Sequence, residues 1–69
     1  MMIMKYVLME RTTALGKGII QEDTVCRTDG VRVLVTEDEA KKGGNPEELG
    51  EVLTAKAALK LLEQRSWKF

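Results

Sequence analysis

Two arginines flank a turn signal in the stretch TVCRTDGVRVLVT, and of all the side chains in this sequence they have the best claim to chemistry. Asp29 and Gly30 tolerate positive φ, which suits the tight loop of a β-hairpin between two β-favourable runs. With a two-residue loop, Thr28 pairs with Val31, Arg27 with Arg32, Cys26 with Val33 and Val25 with Leu34. Like charges directly opposite each other disfavour a hairpin unless something compensates. Two compensations stand open. One is a carboxylate from Glu10, Glu22 or a partner chain. The other is a bound anion, such as a nucleic-acid phosphate, with Arg11 and Lys17 of the preceding glycine-containing stretch joining the site. Against nucleic acid stands the lack of an aromatic stacking platform beyond Tyr6 and Trp67.

The remaining polar residues argue against catalysis. The chain has no histidine, so Cys26 and the hydroxyl side chains lack the usual neutral-pH base. Cys26 alternates with hairpin valines and reads as a small buried hydrophobe. The acidic pairs, Glu22 with Asp23 and Glu37, Asp38 with Glu39, suit a turn and a helix start better than acid–base work or a divalent metal. LGKG at 15–18 lacks the longer glycine spacing and the following Ser or Thr of a phosphate loop, since Ile19 and Ile20 come next. No catalytic residue, metal site or cofactor is therefore expected, and the chain is expected not to be an enzyme.

Positioning these residues requires a fold, and the expected one is a single α+β domain over 1–69. Residues 2–9 carry apolar side chains on both parities, as a strand covered on both faces does. Residues 10–23 hold no sustained period and read as a loop, with a short strand at Ile19 and Ile20. The hairpin spans 24–36, with Cys26, Val31, Val33 and Val35 on its core face. Thr36 with Glu39 forms a capping box for a short helix ending at Gly43. Asn45 caps a second helix that begins at Pro46 and runs to about Gln64, although Gly50 could make its first turn a separate bend. The result is a small antiparallel sheet of two or three strands, formed by the hairpin and the N-terminal strand and packed by a C-terminal helix.

That helix is apolar on two sides. At about 100° per residue, Val52, Ala55, Leu59 and Leu62 fall on one stripe and Leu53, Ala57 and Leu61 on another, with charged residues between. A surface helix needs one apolar stripe. The first is expected to serve the chain's own core. The second is left for the N-terminal segment or for another chain, and Leu53, Ala57, Leu61, Trp67 and Phe69 are the candidate interface. Length strengthens the case for a partner, because a domain this small buries only about 60% of its unfolded surface. One cysteine cannot supply an internal disulfide.

Composition limits the partners. Eleven basic and eleven acidic residues cancel, so no whole-molecule field draws the chain to nucleic acid or an anionic membrane. The opening MMIMKYVLM reads neither as a signal peptide nor as a membrane span. A lone cysteine fits a reducing compartment and favours the cytoplasm. Size, capping and the methionine-rich start suit a small bacterial or phage protein, and no motif assigns a family. The expected function is a non-enzymatic protein–protein interaction or self-associating module, a homodimer. Nucleic-acid binding through the hairpin arginines is the alternative.

Overall fold

The computed structural model describes residues 5–23 and 27–64. Within them the order is β1 (Lys5–Glu10), α1 (Arg11–Gly16), β2 (Arg27–Thr28), β3 (Arg32–Thr36), α2 (Glu37–Ala40) with a 3-10 turn Lys41–Gly43, α3 (Pro46–Leu49), β4 (Glu51–Thr54) and α4 (Ala55–Gln64). The class is α+β, as expected, but the antiparallel sheet has four strands rather than two or three, in the order β2-β3-β1-β4.

β1 is central because its side chains are apolar on both faces. Val7 and Met9 lie opposite Val35 and Val33 and point to one face, while Leu8 lies opposite Leu34 on the other. The first face is covered by α1, α2, α3 and the segment after α1. Val7, Met9, Val33 and Val35 pack there with Ala14, Ile19, Ile20 and Ala40, and with Leu15, Leu49 and Val52 at the margin. The second face is covered by α4, whose Ala58 sits on Leu8 and Leu34, with Tyr6, Leu53, Leu61 and Leu62 around them. Residues 2–4 of the expected first strand, and 24–26 of the expected hairpin with Cys26, lie outside the described residues.

Three expectations need correction. Residues 11–16 form a helix instead of a loop, and Ile19 and Ile20 are buried without forming a strand. The segment is short on apolar period because α1 turns little more than Ala14 and Leu15 inward. The N–H groups of Ile19 and Ile20 both donate to the Ala14 carbonyl, at 2.9 and 3.4 Å, folding both isoleucines back beneath the sheet.

The second correction is the hairpin register. Arg27 lies opposite Leu34 and Thr28 opposite Val33. The loop therefore centres on Gly30 and Val31, one residue later than Asp29-Gly30. Side chains decide this. The Asp29 carboxylate accepts the N–H groups of Val31 at 2.9 Å and Arg32 at 2.7 Å, which puts Asp29 at the corner instead of in the loop. Thr28 Oγ1 accepts from the Gly30 N–H and donates to the Arg32 carbonyl, each at 2.9 Å. Gly30 takes φ of 94°, a region open to glycine. Val31, expected in the core, is left 70% exposed at the loop tip.

The third correction divides the long C-terminal helix. The cap signals hold: the Glu39 N–H donates to Thr36 Oγ1 at 3.2 Å while the Glu39 carboxylate accepts from the Thr36 N–H, and Asn45 Oδ1 accepts from the Glu47 N–H at 3.2 Å. However, α3 ends at Leu49. Gly50 is extended, and residues 51–54 pair with β1, Leu8 opposite Glu51 and Tyr6 opposite Leu53. Alternation thus sends Val52 to the first face and Leu53 to the second. Thr54 then restarts a helix, its Oγ1 accepting the Ala57 N–H at 3.2 Å. β-branched Val52 and Thr54 favour the strand. Gly50 permits it, because a Cβ there would fall 2.1 Å from the Leu8 carbonyl oxygen.

Candidate interaction surface

The four candidate cations do not converge. Arg27 lies on β2 with its guanidinium carbon 5.5 Å from the centre of the Tyr6 ring, within cation–π range. Arg32 lies on β3, opposite Glu10 of β1, and its Nη2 is 3.8 Å from Asp29 Oδ2. The two arginines share the second face of the sheet, as the alternation of the hairpin requires, but the shifted register takes them out of direct opposition. Arg32 therefore has a carboxylate, and it comes from Asp29 rather than from Glu10 or Glu22. Arg11 opens α1 with its backbone N–H donated to the Val31 carbonyl at 3.0 Å, at the loop end of the hairpin. Lys17 is exposed, and its Cβ stands beside Gly43, as Ile19 does, on the side of the first face, whereas the two arginines lie on the second. One phosphate cannot sit against all four.

Asp29 is tuned by the same turn. The Arg32 N–H, and after it the Val31 N–H, hold the carboxyl below the ordinary aspartate value, with the Arg32 charge a smaller cause. A carboxylate that already accepts two backbone N–H groups and neighbours an arginine is a structural corner, not a free acid or base. Among the described residues no group of three His, Cys, Asp or Glu could hold a metal ion.

Apolar surface gathers around α4 instead. At 100° per residue, with Ala58 turned to the sheet, Ala55, Leu59 and Leu62 lie along one flank and Ala57 and Leu61 along the other. The first flank faces β2. With Tyr6, Arg27 and Leu34 it encloses a concavity of about 110 Å³, lined mainly by apolar atoms. The size is well below the roughly 300–1,000 Å³ of small-molecule sites. It would admit one large apolar side chain or a short aliphatic group, with any negative charge placed beside Arg27. The second flank faces β4, the opposite edge of the sheet, where Leu53 lies half-buried.

The candidate interface residues fall out accordingly. Leu53, Ala57 and Leu61 are half-buried, and Leu53 and Leu61 pack against the cluster under α4. Trp67 and Phe69 lie outside the described residues. Leu59, expected in the core with Val52, Ala55 and Leu62, is 60% exposed and is the large apolar residue α4 shows to solvent. The exchange has a simple cause. Helical spacing puts both stripes on one helix, but residues 51–54 form a strand, and α4 seats on Ala58, between the two stripes. Tyr6 and Leu34 line the concavity and are absent from the candidate residues that the sequence offers. Their one available signal was parity, since Tyr6 and Leu8 share a face of β1 and Leu34 shares that face of β3.

Among the described residues, no helix is long and apolar enough to cross a membrane. Comparison with protein-family models, with curated proteins and with solved structures finds no match to this chain.

Proposed function

We propose that this chain is a non-enzymatic protein–protein interaction module that self-associates, acting as a homodimer in the cytoplasm of a bacterium or in a phage-infected cell. One observation carries the reading: α4 is apolar along both flanks, while the sheet beneath it takes up chiefly Ala58 between them. Leu59 stands 60% exposed on one flank, and Ala57 and Leu61 are half-buried on the other. Apolar surface of this kind, beside a sheet edge, is what interfaces are built from. A net charge of zero leaves no overall repulsion between copies. The lone cysteine supports a reducing compartment. Nucleic-acid binding through Arg11, Lys17, Arg27 and Arg32 loses support, because Arg32 faces Asp29 and Lys17 stands apart from the other three.

Light scattering on a concentration series tests the proposal. Twice the monomer mass at micromolar concentration is expected, with the mass falling toward the monomer in Leu61→Lys. A wild-type chain that stays monomeric at high micromolar concentration overturns it.

A further inference from the structure

Which copy-to-copy contact the module makes follows from the open edge of the sheet. Resting on the self-association reading, we propose that two copies join by antiparallel pairing of β4 with β4 about a two-fold axis centred on Leu53, continuing the sheet across the dimer.

Among the described residues β4 is an edge strand: its one partner there is β1. Edge strands template pairing with another chain unless they are blunted. The residues of β4 are Glu51, Val52, Leu53 and Thr54, with no proline; the one charge, Glu51, shares the face of Leu8 and Leu53 but is exposed at the end of the strand. A two-fold axis normal to the sheet keeps each face continuous, so residues that meet across it must share a parity and the axis must pass through one residue position. Four centres are then available. An axis at Glu51 sets two carboxylates opposite each other, which is destabilising. An axis at Val52 sets Glu51 of each copy against Leu53 of the other. At Thr54 the pairing runs immediately into α4. The centre at Leu53 sets leucine against leucine, with Val52 opposite Thr54 on either side.

Two further features fit that centre. It brings Glu51 of each copy to the start of the other copy's α4, beside the exposed Lys56. The first turn of α4 holds no acidic residue, so the carboxylate meets a helix N-terminus lacking an anion of its own. The axis also leaves both α4 helices on the same side of the joined sheet, with the flank carrying Ala57 and Leu61 turned toward the same flank of the other copy. Leu53, Ala57 and Leu61 then bury one another in pairs, while the Leu59 flank and its concavity stay outside the contact.

Directly opposed residues of an antiparallel pair have Cα atoms about 4.5 or 5.5 Å apart. Both spacings lie within the range of about 4.4–6.8 Å that a disulfide spans. The test is therefore oxidative cross-linking of Leu53→Cys, with Leu59→Cys as comparison, each in a Cys26→Ala background whose mass is measured beside them by light scattering. The expected result is a dimer mass, near-complete cross-linking of Leu53→Cys and little of Leu59→Cys. A dimer mass with Leu53→Cys uncross-linked, or with Leu59→Cys cross-linked more readily, overturns the β4 contact and leaves self-association standing. A monomer mass throughout overturns both. Glu51→Lys, at an exposed position, guards against a misfolded cysteine variant. It is expected to weaken association tenfold or more, and unchanged association overturns the pairing.

Discussion

Replacing Gly50 with alanine separates two folds by the sign of one energy. If residues 46–64 formed a continuous helix, alanine would stabilise it by about 1 kcal/mol over glycine. In the observed fold, a Cβ at position 50 lies 2.1 Å from the Leu8 carbonyl oxygen, 2.9 Å from the Leu8 carbonyl carbon and 3.0 Å from Met9 Cβ. The obstacle is backbone of the central strand, which cannot swing aside as a side-chain tip can. Backbone dihedrals add nothing, since Gly50 is extended with φ of −179° and any residue adopts that conformation. Relief requires β4 to withdraw from β1. Overpacking of this kind costs roughly 1–3 kcal/mol, and about 0.4–1 kcal/mol is regained because alanine restricts the unfolded chain. Taking the middle of each range, a net loss of about 1.3 kcal/mol is expected. At a urea dependence of about 1 kcal/mol/M, the unfolding midpoint followed by far-UV circular dichroism falls by about 1.3 M. Gly16→Ala is the control, because a Cβ there meets nothing within 4 Å. It should leave stability unchanged or raise it slightly. A Gly50→Ala chain as stable as wild type, or more stable, refutes both the close approach and the strand assignment that depends on it.

Thr36→Ala removes the hydroxyl half of the α2 capping box, the bond from the Glu39 N–H, along with the hydroxyl's own bond to the Glu39 carboxylate, and should cost about 1 kcal/mol in the same denaturation. Asp29→Ala should destabilise the hairpin at neutral pH. Because the folded-state pKa of Asp29 lies below its ordinary value, the wild-type advantage is complete above that value and is lost as pH falls through the folded one. The gap between the two chains should therefore close in acid titrations below about pH 4. Met9→Ala empties a fully buried site and should cost about 2–5 kcal/mol, whereas Leu59→Lys should leave unfolding nearly unchanged. A Leu59→Lys chain that fails to fold would put Leu59 back in the core.

What could be read in the sequence was local. The caps at Thr36 and Asn45 were visible because each is a side chain that reaches two or three residues along the chain. The hairpin was visible for the same reason. Its register was not, because two local signals competed. Asp-Gly favours a loop at 29–30, yet the carboxylate of Asp29 accepts the N–H groups of Val31 and Arg32 and so moves the loop one residue on. β4 was hidden by coincidence. Val52, Ala55, Leu59 and Leu62 fit helical spacing, while the contact that stops the helix lies between Gly50 and Leu8, far apart in sequence. α1 was hidden because Ala14 and Leu15 are too few to make a period. The candidate surface shows the same division. Leu53, Ala57 and Leu61 remain neighbours although Leu53 sits on a strand, whereas Leu59 changed places because its burial depends on how α4 seats over Leu8 and Leu34.

The central position of β1 also has a consequence for synthesis. Val7, Leu8 and Met9 are made before the elements that cover them: one side of the strand waits for β3, the other for β4, and one face for α4. At translation rates of about 5–20 residues per second, roughly 3–10 s separate the completion of β1 from that of α4. Throughout that interval a short apolar strand has an unpaired edge and no cover on its second face, the condition in which nascent chains adhere to one another. Yield in cells should therefore respond to substitutions that slow the arrival of residues 51–64, even where the finished fold is equally stable.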